Sequence, residues 1–169
     1  MMKIELEPIK SKLGIKQTKH EFFVNDKGKL SVIFRYKKDD LSVFSEGYQV
    51  QYETIECNEY RGNHYHYPEL VGEEFYLIGG NAVLIAGNID KSIIEMYLLK
   101  EQTTYYVPAL IAHKVQNLSH FYNNREEVRL IIAKHYNYKI ANLQKPHVIP
   151  SEITDGYIEQ LIKKNRNEL

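Results

Sequence analysis

From residue 20 to residue 140, hydrophobic and polar positions alternate over short runs. "EFFV" and "KLSVIFRY" flank the turn-forming "NDKG", which predicts a hairpin with Gly28 near the left-handed region. "YQVQYETIE" alternates strictly and sets Tyr48, Val50, Tyr52 and Thr54 on one face. "EEFYLIGGNAVLIAG" predicts two strands broken at Gly79, Gly80 and Asn81, and "SIIEMYLL", "TTYYVP", "HKVQNLS" and "VRLIIAKHY" predict more. Roughly eight to ten strands this closely spaced point to a β-sandwich or barrel and not to alternating strands and helices. No internal repeat breaks the pattern.

The period changes in the tail. In "PSEITDGYIEQLIKKNRNEL", Ile153, Tyr157, Ile158, Leu161 and Ile162 recur at helical spacing. Ser151 is placed to cap this helix, with Glu152 and Asp155 in its first turn, while Gly156 weakens it. The expected organisation is one domain: an N-terminal strand or extension over 1–20, a barrel over 21–140, and a linker and helix over 141–169.

Composition narrows the class. The 169 residues are 43% hydrophobic and 26% charged, the balance of an ordinary globular protein. Lys plus Arg equals Asp plus Glu at 22 each, so no net field draws the chain to nucleic acid or to an anionic membrane. The single cysteine, Cys57, excludes an internal disulfide and a four-cysteine zinc site and suits a reducing compartment. "MMKIELEPIK" has no apolar signal core, and no apolar run reaches the length of a membrane helix. A cytoplasmic location is the expectation.

The candidate chemistry centres on "RGNHYH". On a strand, His64 and His66 share a face, about 7 Å apart by strand rise. Glu73 starts the next strand and reaches the pair if that strand folds back across "YPELVG". "YVPALIAHKVQN" adds His113. His64, His66, Glu73 and His113 together suit a transition metal such as zinc, iron, manganese or nickel. The same groups also suit metal-free acid–base work, because imidazole titrates near neutrality. Arg61 offers a planar fork to phosphate or carboxylate. Tyr52, Tyr76 and Tyr106 are candidates for an aromatic pocket lining. His20, His120, His135 and His147 are read as structural, and Glu69 and Glu74 as solvated.

"RGNHYHYPELVGEEFYLIGG" followed by "PALIAHKVQN" resembles the two motifs of the cupins, with Leu110 where the second motif usually carries glycine. That resemblance implies an all-β, single-domain cupin, a double-stranded β-helix or jelly-roll barrel, here with a C-terminal helix. "DKGKLSVI", "VQYETI", "RGNHYH", "YVPALIAH" and "VRLIIAKHYNY" are further similar, in order and rough spacing over residues 22 to 140, to the cupin-type sugar-nucleotide 3,4-ketoisomerases and their 3,5-epimerase cousins. The implied activity is isomerisation or epimerisation of a keto-sugar nucleotide of the dTDP-4-keto-6-deoxyhexose kind, in deoxysugar and surface-polysaccharide synthesis, by a homodimer. His64 would then be the proton-abstracting base, with His66 and Tyr52 assisting, Arg61 on the pyrophosphate, and Asn63, Tyr76 and Tyr106 as substrate contacts.

The ketoisomerases need no metal. "HYH" with Glu73 and His113 also resembles metal-binding cupins, among them the cupin part of capsule-synthesis reductases and the cupin phosphoglucose isomerases. The alternatives are thus a metal-dependent sugar-phosphate isomerase and a non-catalytic metal- or sugar-binding cupin. The two enzyme readings give His64 incompatible jobs, base or ligand.

Overall fold

The computed structural model describes residues 2–21, 23–25, 28–30, 48–66, 72–135, 144–146, 149 and 151–166. Two sheets face each other. The six-stranded sheet runs β1 (Lys3–Leu6), β9 (Ile93–Leu98), β8 (Ala82–Gly87), β11 (Ala112–Asn117), β6 (Tyr60–His66), β13 (Gln144–Pro146). The five-stranded sheet runs β2 (Lys16–Lys19), β10 (Thr103–Val107), β7 (Gly72–Gly79), β12 (Val128–His135), β5 (Tyr48–Ile55). Pairing is antiparallel throughout except where β1 lies parallel to β9. Non-sequential neighbours such as β7 and β12 make this a jelly roll and not a meander. The stretch over 1–20 supplies an edge strand to each sheet.

Strand alternation builds two apolar layers. Leu84 and Ala86 of β8 point between the sheets, where they meet Phe75, Leu77, Tyr105, Val115, Leu130 and Ile132. Val83 and Ile85 point the other way, against helix α1 (Ser151–Arg166). Both faces of β8 are therefore covered, which explains why "AVLIAG" is an unbroken apolar run. The helix starts at Ser151 and carries Lys163, Lys164 and Arg166 in its last turn, the favourable end of its dipole. Ile158, Leu161 and Ile162 are its buried stripe, whereas Tyr157 faces solvent. Each fully buried Ile or Leu stabilises the packing by about 1.5–3 kcal/mol. No helix among the described residues is long and apolar enough to cross a membrane.

Three expectations need restating. The predicted hairpin over 21–36 forms as β3 (Phe23–Asn25) and β4 (Gly28–Leu30), with Asn25 opposite Gly28; its continuation lies outside the described residues. The strands broken at Gly79–Asn81 do form, but β7 and β8 enter opposite sheets. Gly80 makes that crossing at φ +85°, where a Cβ would stand 2.5 Å from the Glu127 carbonyl oxygen, so only glycine fits. Finally, β7 does not fold back onto β6. It lies in the other sheet, paired with β10 and β12, and faces β6 across the interior.

Candidate functional site

The site is built where β6 and β11 of one sheet face β7 and β12 of the other. Residues of odd separation on a strand point to opposite faces, yet Arg61 and His64 both line one cavity. A bulge in β6 reconciles this. Arg61 pairs with Val115 and Gly62 with Lys114, but the next partner of β11, His113, sits opposite His64, leaving Asn63 extra. Gly62 and Asn63 carry the bulge at φ +90° and +68°. Gly62 is required there twice over, because a Cβ would also stand 2.8 Å from the His113 carbonyl oxygen. Asn63 Oδ1 accepts a 2.7 Å hydrogen bond from the Ile149 backbone, so this side chain ties down the segment before α1. Asn63 is not among the residues that line the cavity beside the cluster.

Four side chains converge beyond the bulge. His64 Nε2 lies 3.2 Å from His66 Nε2, His66 Nε2 lies 3.0 Å from Glu73 Oε1, and His113 Nε2 lies 2.8 Å from Glu73 Oε2. Glu73 arrives from the opposing sheet, and all four ligand atoms lie within 4.8 Å of one another. His66, Glu73 and His113 are buried and His64 is half-buried. The turn before His113 brings Leu110 to φ +61°, the conformation that glycine adopts freely, where Leu110 N–H donates to the His66 carbonyl.

The electrostatics constrain what the cluster can hold. His113 Nδ1–H donates 2.9 Å to the Ile111 carbonyl, so the proton of a neutral imidazole is on Nδ1 and the Nε2 lone pair is aimed at the Glu73 carboxylate. The His64 and His66 Nε2 atoms face each other in the same way. Glu73 Oε1 is buried and, although near His66 and 3.1 Å from Lys134 Nζ, accepts no hydrogen bond of adequate direction. Burial by itself would raise the Glu73 pKa, but the His113 and His66 rings against its two oxygens hold it well below the usual carboxylate range. Burial, then repulsion from His113 and His66, pushes His64 down to about 4. Three imidazole nitrogens and an ionised carboxylate aimed at one point, with too few protons between them, fit a divalent transition metal. Ligand distances of about 2.0–2.2 Å fit that spacing, and the His113–Ile111 bond is the outer contact that fixes a metal-ligating tautomer.

The cavity beside this cluster measures about 240 Å³. Phe75, Val115, Leu130 and Ile132 form its apolar wall, and Arg61, Glu53 and Lys134 its polar rim. Two larger concavities, of about 440 and 460 Å³, lie beside α1 and bring no such set of ligand atoms together among the described residues.

The tyrosines are not part of this pocket. Glu53 faces the cavity, so its neighbour Tyr52 faces outward and is 60% exposed. Tyr76 and Tyr106 alternate with the inward-facing Phe75, Leu77, Tyr105 and Val107, and they too lie on the outer face of the five-stranded sheet. There Lys16 Nζ covers the Tyr106 ring and His20 packs edge-on against Tyr76. Their placement in the pocket lining is corrected by strand phase. His20 also meets Thr104 Oγ1 at 3.0 Å, a structural role. The side chains of His135 and His147, and Glu69 altogether, lie outside the described residues.

Sequence reasoning missed Lys134 and Glu53. Lys134 continues the inward phase of Leu130 and Ile132 and stands directly opposite Glu73 on the neighbouring strand. Glu53 shares its face with Ile55, which is buried in the inter-sheet core. The period of two carries the signal, but placing Tyr52 in the pocket lining takes the apolar side of β5 as the inner one.

No protein-family model matches this sequence, and no curated protein matches it. Solved structures do. A sugar 3,4-ketoisomerase from Thermoanaerobacterium thermosaccharolyticum in complex with TDP is 15% identical, with 91% of this chain and 98% of that one covered at a TM-score of 0.58. A mutant of the same enzyme in complex with TDP-4-keto-6-deoxyglucose is 15% identical over 88% and 94%, with a TM-score of 0.56. A dTDP-4-dehydrorhamnose 3,5-epimerase from Sulfolobus tokodaii is 22% identical over 79% and 75%, with a TM-score of 0.58. At these identities the likeness is one of fold: the chain is a jelly roll with a C-terminal helix.

Proposed function

We propose that this chain is a metal-binding cupin isomerase that acts on a keto-sugar nucleotide. The observation that carries the reading is the convergence of the His64, His66 and His113 Nε2 atoms on ionised Glu73 at the end of an apolar-walled cavity. His64, His66, Glu73 and His113 would hold the ion. When bound, a divalent metal supplies Lewis-acid stabilisation of negative charge developing on a sugar oxygen.

The chain's own residues do the rest. Proton removal next to a carbonyl needs a placed base, worth roughly 10²–10⁴-fold. It also needs water excluded, which Phe75, Val115, Leu130 and Ile132 accomplish on one side of the cavity. Arg61 and Lys134 put two cations on the rim, suited to the phosphates or to an oxyanion of the substrate. The likeness to sugar-nucleotide ketoisomerases and epimerases supports the substrate class. A homodimer remains part of the proposal, supported by Val50, Tyr52 and Ile78, which leave an apolar outer face on the five-stranded sheet.

A second reading has its own support. His64 is neutral at physiological pH and lines the cavity, as a metal-free base should. Elemental analysis of untagged wild type beside His66→Ala separates the two. Near-stoichiometric metal in the wild type and little in the variant is expected; metal in neither returns His64 to the role of base. Ketone migration in, and deuterium uptake from D2O into, TDP-4-keto-6-deoxyglucose test the activity, and a wild type that shows neither refutes it.

A further inference from the structure

We infer that Glu53 is the base that takes the substrate's carbon-bound proton and returns it, a role that rests on the proposed keto-sugar activity with His64 held as a metal ligand. Among the described residues, the titratable groups facing the cavity are Glu53, Arg61, His64, Glu73, His113 and Lys134. His64, Glu73 and His113 aim their lone pairs at one another and at the ion they would share. Arg61 is a cation without a lone pair to give, and Lys134 is engaged at 3.1 Å with Glu73. The outer-face tyrosines cannot reach a substrate held between the sheets. Glu53 alone combines a basic lone pair, a place in the cavity wall and independence from the ligand cluster.

Its surroundings hold it for that work. Gln51, two residues earlier on the same face of β5, donates Nε2–H to Glu53 Oε1. No other described residue hydrogen-bonds the carboxylate, and Glu53 lines the cavity. Across the sheet, Glu53 pairs with Leu130, which belongs to the apolar wall. A carboxylate held through one oxygen keeps its second oxygen oriented.

The step balances without an oxidant. Glu53 Oε2 forms an O–H bond as the C–H bond next to the ketone breaks. The C–H electron pair becomes a carbon–carbon double bond, and the carbonyl π pair moves onto oxygen. A hydroxyl proton passes between the two neighbouring oxygens, and Glu53 delivers its proton to the former carbonyl carbon, so the ketone has moved by one position. A single base on one wall takes and returns the proton on one face of the sugar. That suits ketone migration and does not suit inversion at the carbon that lost the proton, which would need a second group opposite.

The test uses the metal-loaded full chain in D2O with TDP-4-keto-6-deoxyglucose, following deuterium uptake and ketone position by mass spectrometry and NMR. Glu53→Gln is expected to lower ketone migration, and any accompanying exchange, at least about 100-fold while metal content and Tm hold. Glu53→Ala should regain ketone migration on addition of formate, which a residue with a purely structural role would not do. Ketone migration in Glu53→Gln within threefold of wild type, or no formate rescue in a folded Glu53→Ala, overturns the assignment while the activity stands. A wild type that neither moves the ketone nor exchanges a carbon-bound proton overturns the activity itself, and the role of Glu53 with it.

Discussion

Arg61 and His64 lie three residues apart on one strand, yet both face the same cavity. The Gly62–Asn63 bulge shifts the strand's phase by one residue between them. Arg61 is thereby aimed at the rim while His64 joins the ligand cluster. An unbulged strand would put one of the two on the helix side of the sheet.

Gly62→Ala should therefore disturb both stability and the site. At φ +90° the added Cβ is strained, and it meets the His113 carbonyl oxygen at 2.8 Å. A loss of about 1–3 kcal/mol is expected in urea denaturation, together with weaker metal retention. Equal stability and equal metal content would show that β6 tolerates another register.

Acid should weaken the metal-stripped protein in a defined window. The His64 pKa is lowered from its ordinary 6.5 to about 4 in the fold, so the unfolded chain takes up this proton first. Stability should hold above about pH 6.5 and fall between there and pH 4, because the unfolded state gains the proton. The lowered Glu73 pKa acts further down: its contribution is present above the ordinary carboxylate value of 4.5 and is lost as pH falls towards its folded value. His64→Gln should flatten the upper part of the profile, as chemical denaturation at stepped pH would show. A slope unchanged by that substitution would assign the loss to other groups.

Tyr52→Phe should leave metal content unchanged and deuterium exchange within about twofold, since strand phase points the ring away from the cavity. A large loss of exchange with the fold intact would bring Tyr52 back to the site.

Gly156→Ala should stabilise the protein. Gly156 sits inside α1, its φ is outside the left-handed region, and nothing lies within 4 Å of where its Cβ would be. The gain expected from helix propensity is about 0.5–1 kcal/mol, read as a higher Tm. A lower Tm would mean that the exposed face of the helix is in fact covered.

Much of the molecule could be read from residue order. The strands over "EEFYLIGG", "NAVLIAG" and "VRLIIAKHY", the helix after residue 150, and the identity of His64, His66, Glu73 and His113 all follow from local period and residue chemistry. These are properties of short segments, and alternation or helical spacing states them directly. What period cannot state is which of a strand's two faces is inside. On β5 the apolar residues Val50 and Tyr52 point out, while Gln51 and Glu53 share the inner phase, because the interior at that end is a polar pocket. Only the sheet partners decide that face. They also decide that Glu73 meets the histidines across the interior and not along a hairpin, and that Lys134 stands beside it. The Gly62–Asn63 bulge then resets the phase of β6, and its location depends on how closely the backbone of β11 approaches. The sequence by itself thus determined the elements and the ligand residues. Long-range pairing determined which side chains share the cavity, because a period of two leaves the choice of face open.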